Sequence, residues 1–268
     1  MEKKIWGAVA MLGLGGLLVA CQPGGPKLID KADTTSDTRS GYSYAEPETQ
    51  AMQDDDFNNP AMLWADIGGD QWTTVDGEAG KSCQSCHGEA AKSMKGVGAK
   101  FPIWDAKLKT PKAVEMQINE CRTERMKAQP WKWESDQMLG MTMYVKMQSR
   151  GMPVNVDVSG PMKAWLERGK EFYNTRRGLL DMACSHCHVD NAGNMIRANR
   201  LSQGQANGFP TYRLKWQKPG SLHRRFKGCN DQVRAEPFKR GSEEYLALET
   251  YVMWRASGLP VETPAVRN

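Results

Sequence analysis

The sequence has only four histidines among its 268 residues, and it lacks any block of like charges. Its formal net charge is +5, a modest excess that gives no sign of nucleic-acid binding. The apolar run from Ile5 to Ala20 is too short for a comfortable membrane span. Hydrophobic residues make up 40% of the chain, which is long enough for two small domains with apolar cores.

Cysteines are also few, with seven in the chain, and four of them fall in two copies of one motif. The copies are Cys83-Gln-Ser-Cys-His87 and Cys184-Ser-His-Cys-His188. This C-x-x-C-H pattern is typical of c-type haem attachment, in which the cysteines bind the porphyrin and the histidine ligates the iron. A single copy would also suit half of a zinc site. Two copies favour two covalently attached c-type haems, held by Cys83, Cys86, Cys184 and Cys187, with His87 and His188 as proximal ligands.

The residues around the two motifs repeat as well. Gly68 recurs 101 positions later as Gly169, and Cys121 recurs 108 positions later as Cys229. The sequence therefore predicts an internal duplication, with a first cytochrome c domain at residues 57–157 and a second, catalytic one at residues 158–268.

The N-terminus has the pattern of an export signal over residues 1–21. It ends in Leu18-Val19-Ala20-Cys21, which resembles the lipobox of bacterial lipoproteins and implies lipidation of Cys21. An ordinary secretory signal cut near Ala20 is the alternative. Residues 22–56 are rich in small and polar residues, so we expect a flexible tether there. The predicted location is the periplasm, with contact to the membrane through the lipid anchor only.

Both repeats show helical patterns. Pro161 suits the first turn of a helix, and apolar residues follow it at helical spacing. A last helix is predicted to begin near Ser242, with Glu243 and Glu244 in its first turn, and to stop at Gly258. Terminal helices beside a haem resemble the class I cytochrome c fold. We therefore expect an all-α protein with two class I cytochrome c-like domains, in which no segment requires a strand.

The distal iron ligands are less obvious. Cys121 and Cys229 have no role in attachment, and their equivalent positions predict the same local role in each domain. We expect each thiolate to ligate its haem iron, which lowers the reduction potential. A disulfide between Cys121 and Cys229 is the alternative, since export permits one. Met94 and Met195 also align and form the best methionine pair.

Two further histidines, His223 and His186, are possible distal ligands of the second haem. His223 corresponds to Glu115 in the first repeat, so it would be a ligand without a counterpart. His186 lies inside its own attachment motif and cannot reach the opposite face of the haem. For both we expect exposed positions or supporting contacts near the site.

The two repeats differ most in charge just before the distal cysteines. Val114 to Cys121 carries no basic residue, whereas Leu222 to Cys229 contains Arg224, Arg225 and Lys227. In a helix, Arg225 would share a face with Cys229, lower the pKa of its thiol and offer a forked site for an oxyanion. A solvated basic face that docks an acidic partner is the alternative, mainly for Arg224 and Lys227.

Two C-x-x-C-H motifs, a distal cysteine in each domain and Arg-Phe-Lys-Gly-Cys at 225–229 resemble the SoxA family, in its two-haem subclass. The resemblance covers about residues 57–262. It implies an L-cysteine S-thiosulfotransferase that joins thiosulfate oxidatively to a cysteine of the carrier protein SoxYZ. Electrons would leave through haem to a monohaem SoxX partner and a downstream acceptor.

The resemblance also implies residue roles. Cys229 would be the active-site cysteine, often found as a persulfide that ligates the iron. Arg225 would orient thiosulfate or stabilise that sulfur, and Cys121 would ligate the first haem. The lipobox is a departure, because SoxA proteins are commonly exported as soluble proteins.

Two other functions fit the same motifs. A thiosulfate dehydrogenase that forms tetrathionate also uses a cysteine-ligated haem. A dihaem cytochrome that only transfers electrons would not require the asymmetry around Cys229.

Overall fold

The structure, a computed structural model, describes residues 37–268. The predicted export signal with Cys21, and the first part of the predicted tether, lie outside the described residues. Within residues 37–268, no helix is both long and apolar enough to cross a membrane.

Helices dominate both repeats, as the sequence predicts. The N-terminal segment and the first repeat contain α1 (Pro47–Asp54), α2 (Met62–Thr73), α3 (Cys83–His87), α4 (Ala90–Ser93), α5 (Val114–Glu120) and α6 (Asp136–Met147), and α5 continues into a π-helix at Cys121–Met126. The second repeat contains α7 (Met162–Asn174), α8 (Cys184–His188), α9 (Leu222–Gln232) and α10 (Glu243–Arg255).

The helix starts follow local capping chemistry. The Ser242 side chain accepts a hydrogen bond from the backbone N–H of Tyr245, so α10 begins where the sequence predicts. Ser221 caps α9 in the same way by accepting from Arg224. Pro161 lies at the N-cap of α7, one residue before the predicted first turn.

Short strands accompany the helices, a feature that the helical patterns did not indicate. β1 (Ile103–Asp105) pairs with β2 (Thr110–Lys112), and β3 (Met195–Ile196) pairs with β4 (Asn199–Arg200). In the second repeat β5 (Thr211–Arg213) lies between antiparallel β6 (Lys218–Gly220) and parallel β7 (Ala265–Arg267). Strands of two or three residues carry too few side chains for a period-two pattern to stand out.

One glycine in each repeat sets the main helix crossing. A Cβ on Gly68 of α2 would lie 2.2 Å from the carbonyl oxygen of Gly140 in α6. A Cβ on Gly169 of α7 would lie 2.1 Å from the carbonyl oxygen of Ala247 in α10. Only glycine permits such an approach of two backbones. The pairing of Gly68 with Gly169 in the sequence therefore marks the crossing of the terminal helices in both repeats.

Three apolar clusters hold the chain together. One surrounds Trp72, Phe101 and Met141 in the first repeat, and a larger one surrounds Tyr173, Tyr245 and Leu248 in the second. The third joins the repeats, with Ala65 and Met143 packed against Tyr212 and Val266. The repeats are therefore packed together rather than strung on a linker.

The expectation of a flexible tether up to residue 56 is wrong for the part that the structure describes. A 3-10 helix at Gly41–Tyr44 and α1 pack against the C-terminal strand. The Gln53 side chain accepts a hydrogen bond from the backbone N–H of Val266 at 3.0 Å, and Ser40 donates one to Glu262. The composition of this segment could not reveal partners that lie more than 200 residues away.

Candidate functional site

A large cavity lies between α8, α9 and α10 of the second repeat. Cys184, Cys187 and His188 contribute to one wall, and Cys229 contributes to another. The apolar part includes Leu222, Phe226, Leu248 and Val252. The structure thus brings together all the residues that the sequence predicts for the second haem, on two short stretches of helix.

The orientation of His188 suits an axial ligand. Its Nδ1 lies 2.8 Å from the carbonyl oxygen of Ser202, so Nδ1 carries the proton and Nε2 keeps its lone pair. Gly204 packs behind the ring with φ of +75°, and a Cβ there would lie 2.8 Å from His188 Cγ. Such a contact to a backbone carbonyl is the usual way to set the tautomer of a metal-binding histidine.

The thiol of Cys229 lies within hydrogen-bonding reach of His188. Burial alone would raise the pKa of this thiol, but Arg225, His188 and Arg213 together lower it to about 7. By contrast, burial and the neighbouring Cys229 raise the pKa of Cys184 to about 12, and burial raises that of Cys187. Only Cys229 is therefore substantially a thiolate at neutral pH.

The arrangement of the side chains tests which group the cavity would hold. A structural zinc site needs four ligands gathered around one point, and within residues 37–268 no group of three or more His, Cys, Asp and Glu side chains is placed to hold a metal ion. Thioether attachment to a porphyrin needs no thiolate ligand from Cys184 or Cys187. A haem needs one imidazole and one ligand facing it, and His188 and Cys229 supply that pair. The residues therefore fit a c-type haem and not half of a zinc site.

Arg225 lies one turn before Cys229 on α9, and both line the cavity, as the helical interpretation predicts. The other two basic residues of this segment, Arg224 and Lys227, do not line the cavity. Arg224 stacks on Trp216 at 4.2 Å, and Lys227 pairs with Asp231 at 2.8 Å. For Arg224 and Lys227 the structure thus supports the interpretation as a basic face.

Arg213 is a second cation in the cavity, and our sequence analysis missed it. It lies on β5, and its Nε donates to the carbonyl oxygen of Asn268 at 2.7 Å. Burial and the nearby Arg225 lower its pKa to about 10, so it remains charged at neutral pH. A signal was present, because Arg213 corresponds to Asp105 at the same spacing of 108 that relates Cys121 to Cys229.

The first repeat replaces both arginines. Gln117 occupies the position of Arg225, and its amide nitrogen lies 3.5 Å from the sulfur of Cys121. Asp105 occupies the position of Arg213 and pairs with Lys112 at 2.5 Å. The thiol of Cys121 thus has a neutral donor, whereas that of Cys229 has two guanidinium groups. Only the second repeat is built to attract an anion to its distal sulfur.

The other candidate ligands of the second haem, Met195, His186 and His223, do not line the cavity. None of the six cysteines in the described residues forms a disulfide, including Cys121 and Cys229. Met195 is 52% exposed on β3, and it does not line the cavity. His186 accepts a hydrogen bond from the backbone N–H of Ala183. His223 is buried rather than exposed, and its side chain hydrogen-bonds to Glu249.

Comparison with known proteins identifies the family of the two repeats. Residues 67–154 and 168–261 each match the model of the SoxA/TsdA cytochrome c domain. The chain belongs to this family. The two matches confirm the duplicated cytochrome c fold and support c-type haem.

Close relatives share most of the chain. The L-cysteine S-thiosulfotransferase subunit SoxA of Pseudaminobacter salicylatoxidans is 53% identical over 85% of this chain and 80% of its own length. That of Paracoccus pantotrophus is 44% identical over 94% and 89%. The crystal structure of SoxXA from P. pantotrophus superimposes with a TM-score of 0.85 at 47% identity, covering 88% of this chain and 89% of the other.

Proposed function

We propose that this chain is the SoxA-type subunit of an L-cysteine S-thiosulfotransferase, with two covalently attached haems. The observation that carries the proposal is the pair of guanidinium groups, of Arg213 and Arg225, beside the one thiolate of the cavity, Cys229. A dianion such as thiosulfate is attracted to two cations at a site partly shielded from water. The names of the relatives support the same substrate.

The residues that line the cavity of the second repeat have different roles. His188 and Cys229 would hold the iron, with Cys184 and Cys187 attached to the porphyrin. When bound, the haem supplies an electron acceptor beside the sulfur. Arg225 and Arg213 bind the sulfonate oxygens of thiosulfate and keep Cys229 in the thiolate form.

The reaction balances in charge and atoms. Thiosulfate and a carrier cysteine thiol join through a new S–S bond, and the S–H bond breaks. One proton and two electrons leave, the electrons through the haem. The cationic cavity favours the bound dianion but does not itself accept electrons, so an outside acceptor is required.

In the first repeat we assign His87 and Cys121 as the iron ligands, with Cys83 and Cys86 as attachment residues. Gln117 donates to Cys121 where Arg225 acts in the second repeat. Without cations at its sulfur, this haem would serve electron storage or stability rather than substrate binding.

Partners and location follow from the same proposal. The SoxXA structure from P. pantotrophus supports a monohaem SoxX-like partner for this chain. The carrier SoxYZ would supply the acceptor cysteine, and a downstream acceptor would take the electrons. The periplasm, with a lipid anchor at Cys21, is the proposed location.

The test is the Arg225→Gln variant, which copies Gln117 of the first repeat. Purified holoprotein with its SoxX partner is incubated with thiosulfate, an electron acceptor and SoxYZ, and the carrier is weighed by mass spectrometry. We expect a large loss of thiosulfate transfer with both haems still attached. Arg224→Gln is the matched control, because Arg224 stacks on Trp216 and does not line the cavity.

The rival functions give different outcomes. Tetrathionate formed equally well without SoxYZ would identify a thiosulfate dehydrogenase. No turnover of any sulfur compound by the wild type, or full activity of Arg225→Gln, would contradict the proposed site.

A further inference from the structure

Four ionisable side chains meet between the two repeats, away from the haem cavity. Glu115 on α5 and Lys146 on α6 come from the first repeat, and His223 on α9 and Glu249 on α10 come from the second. Each is at most 8% exposed. We call them the interdomain cluster.

Three members of the interdomain cluster, Glu115, Lys146 and Glu249, line a small cavity of about 10 Å³. Glu115, Thr142, Lys146 and Glu249 supply its polar wall. This volume is close to the space that one water molecule needs, and four polar groups are enough to hold one. The site is therefore suited to a buried water that exchanges protons with its walls.

The tautomer of His223 follows from its two contacts. The backbone N–H of Gly241 donates to His223 Nδ1 at 3.0 Å, so Nδ1 carries no proton. His223 Nε2 therefore carries the proton and donates to Glu249 Oε2 at 3.0 Å. His223 therefore donates from a neutral ring, and the Glu249 carboxyl group accepts.

Within residues 37–268, Glu115 has no side-chain partner of this kind. Its carboxylate accepts a hydrogen bond from its own backbone N–H, and Glu249, His223 and Lys146 act on it through their charges. Burial, and next the charge of Glu249, raise the pKa of Glu115 to about 7, against the opposing effects of His223 and Lys146. Burial lowers the pKa of Lys146.

The charges of the interdomain cluster therefore balance only when one proton is present. By formal charge, one lysine and two carboxylates leave the interdomain cluster with one negative charge when the His223 ring is neutral, and one added proton removes it. The nearest charge on β2, which packs against α10, is Lys112, and it is already paired with Asp105 and Glu120. Glu115 is thus the group that gains or loses a proton near neutral pH.

A single apolar layer separates the interdomain cluster from the haem cavity. Leu222 and Phe209 line both cavities, and Leu248, next to Glu249, lines the haem cavity. Helix α9 carries His223 in the interdomain cluster and Arg225 and Cys229 in the haem cavity. A charge added in the haem cavity therefore acts on Glu115 through packed apolar side chains, which screen it less than bulk water would.

We propose that the interdomain cluster is a proton-binding site, in which Glu115 takes up one proton from solvent when the haem held by His188 gains one electron. With one electron supplied by a chemical reductant and one proton by solvent, the haem would gain the electron and the Glu115 carboxylate would become a carboxylic acid, so the added negative charge would be compensated. The proposal rests on the second haem of the proposed function but not on the sulfur chemistry.

The experiment is a redox titration of the holoprotein, without thiosulfate or carrier, between pH 5.5 and 9. The expected result is a midpoint potential of the second haem that falls as pH rises through neutrality. One proton per electron corresponds at most to a tenfold change in the reduction equilibrium per pH unit, or 59 mV for one electron. The first haem is followed in the same sample as an internal reference.

Two variants separate the interdomain cluster from other sources of pH dependence. Glu115→Gln preserves shape and should remove the slope for the second haem. Glu167→Gln removes an exposed carboxylate of the second repeat and should leave the slope unchanged. Reduced-minus-oxidised infrared spectra should show a protonated carboxyl band in the wild type that is missing in Glu115→Gln.

A potential that is independent of pH in the wild type would overturn the proposal. So would a slope, or a carboxyl band, that survives in Glu115→Gln. Since no substrate is present, either result would leave the thiosulfate assay of the proposed function unaffected.

Discussion

Replacing Gly68 by alanine should disrupt the crossing of α2 and α6 in the first repeat. The new Cβ would lie 2.2 Å from the carbonyl oxygen of Gly140 and 2.5 Å from Cβ of Tyr144. The first of these is a backbone atom of a packed helix and cannot rotate away. The two helices must move apart locally, and overpacking of this kind costs about 1–3 kcal/mol.

The neighbouring residue is a matched control on the same helix. A Cβ on Gly69 would lie 3.4 Å from the ring of Tyr144, which is ordinary contact. Gly69→Ala should therefore gain the usual advantage of alanine in a helix, about 0.5–1 kcal/mol. Gly68→Ala gains the same advantage but suffers the clash, so we expect its stability to be lower by about 1–3 kcal/mol than that of Gly69→Ala.

The assay is thermal unfolding of the two holoproteins, with the haem absorbance of the first repeat as the reporter. For a folded chain of this size, 1 kcal/mol shifts Tm by about 2–4 °C. We expect Gly68→Ala to melt several degrees below Gly69→Ala. Equal melting temperatures would refute the view that this close backbone approach requires glycine.

Three other variants test the haem cavity and the interdomain cluster. Arg213→Gln removes one charged contact of about 2 kcal/mol, so kcat/KM for thiosulfate should fall about thirtyfold, and an unchanged value would exclude Arg213 from the site. Gly204→Ala would push on the ring of His188 and should alter the spectrum of the second haem, whereas Gly193→Ala shares the positive φ without a clash and should not. Because the pKa of Glu115 is raised from 4.5 to about 7, its burial favours folding at low pH and this advantage is lost as pH rises through 4.5 to 7. Glu115→Gln should flatten the pH dependence of the free energy of unfolding across that range, by up to about 3 kcal/mol, and an unaltered pH profile would contradict the shift.

Much of the site could be predicted because its chemistry is local in sequence. Haem attachment needs two cysteines and a histidine within five residues, and Cys184 to His188 forms one short helix. Arg225 and Cys229 are one helical turn apart, so a single helix brings them to the same cavity. The duplication also allows the Arg225 and Cys229 pair to be compared with Gln117 and Cys121. A single haem motif offers no such comparison.

The tertiary structure determined the contacts between segments that are far apart in the sequence. Arg213 reaches the sulfur of Cys229 from a strand too short to leave a pattern, although its charge reversal against Asp105 was visible in the alignment of the repeats. Residues 37–56, composed like a linker, fold because their polar groups find partners near the C-terminus.

The sequence by itself determined the two haem motifs, the duplicated helical fold and the reactive face of α9, because each depends on spacing within a few turns. Only the tertiary structure decided the second guanidinium at Cys229, the polar contact of His188 with Ser202, and the buried meeting of Glu115 with Glu249. Those depend on packing between elements, where Coulomb interactions and desolvation act across space and are independent of separation along the chain.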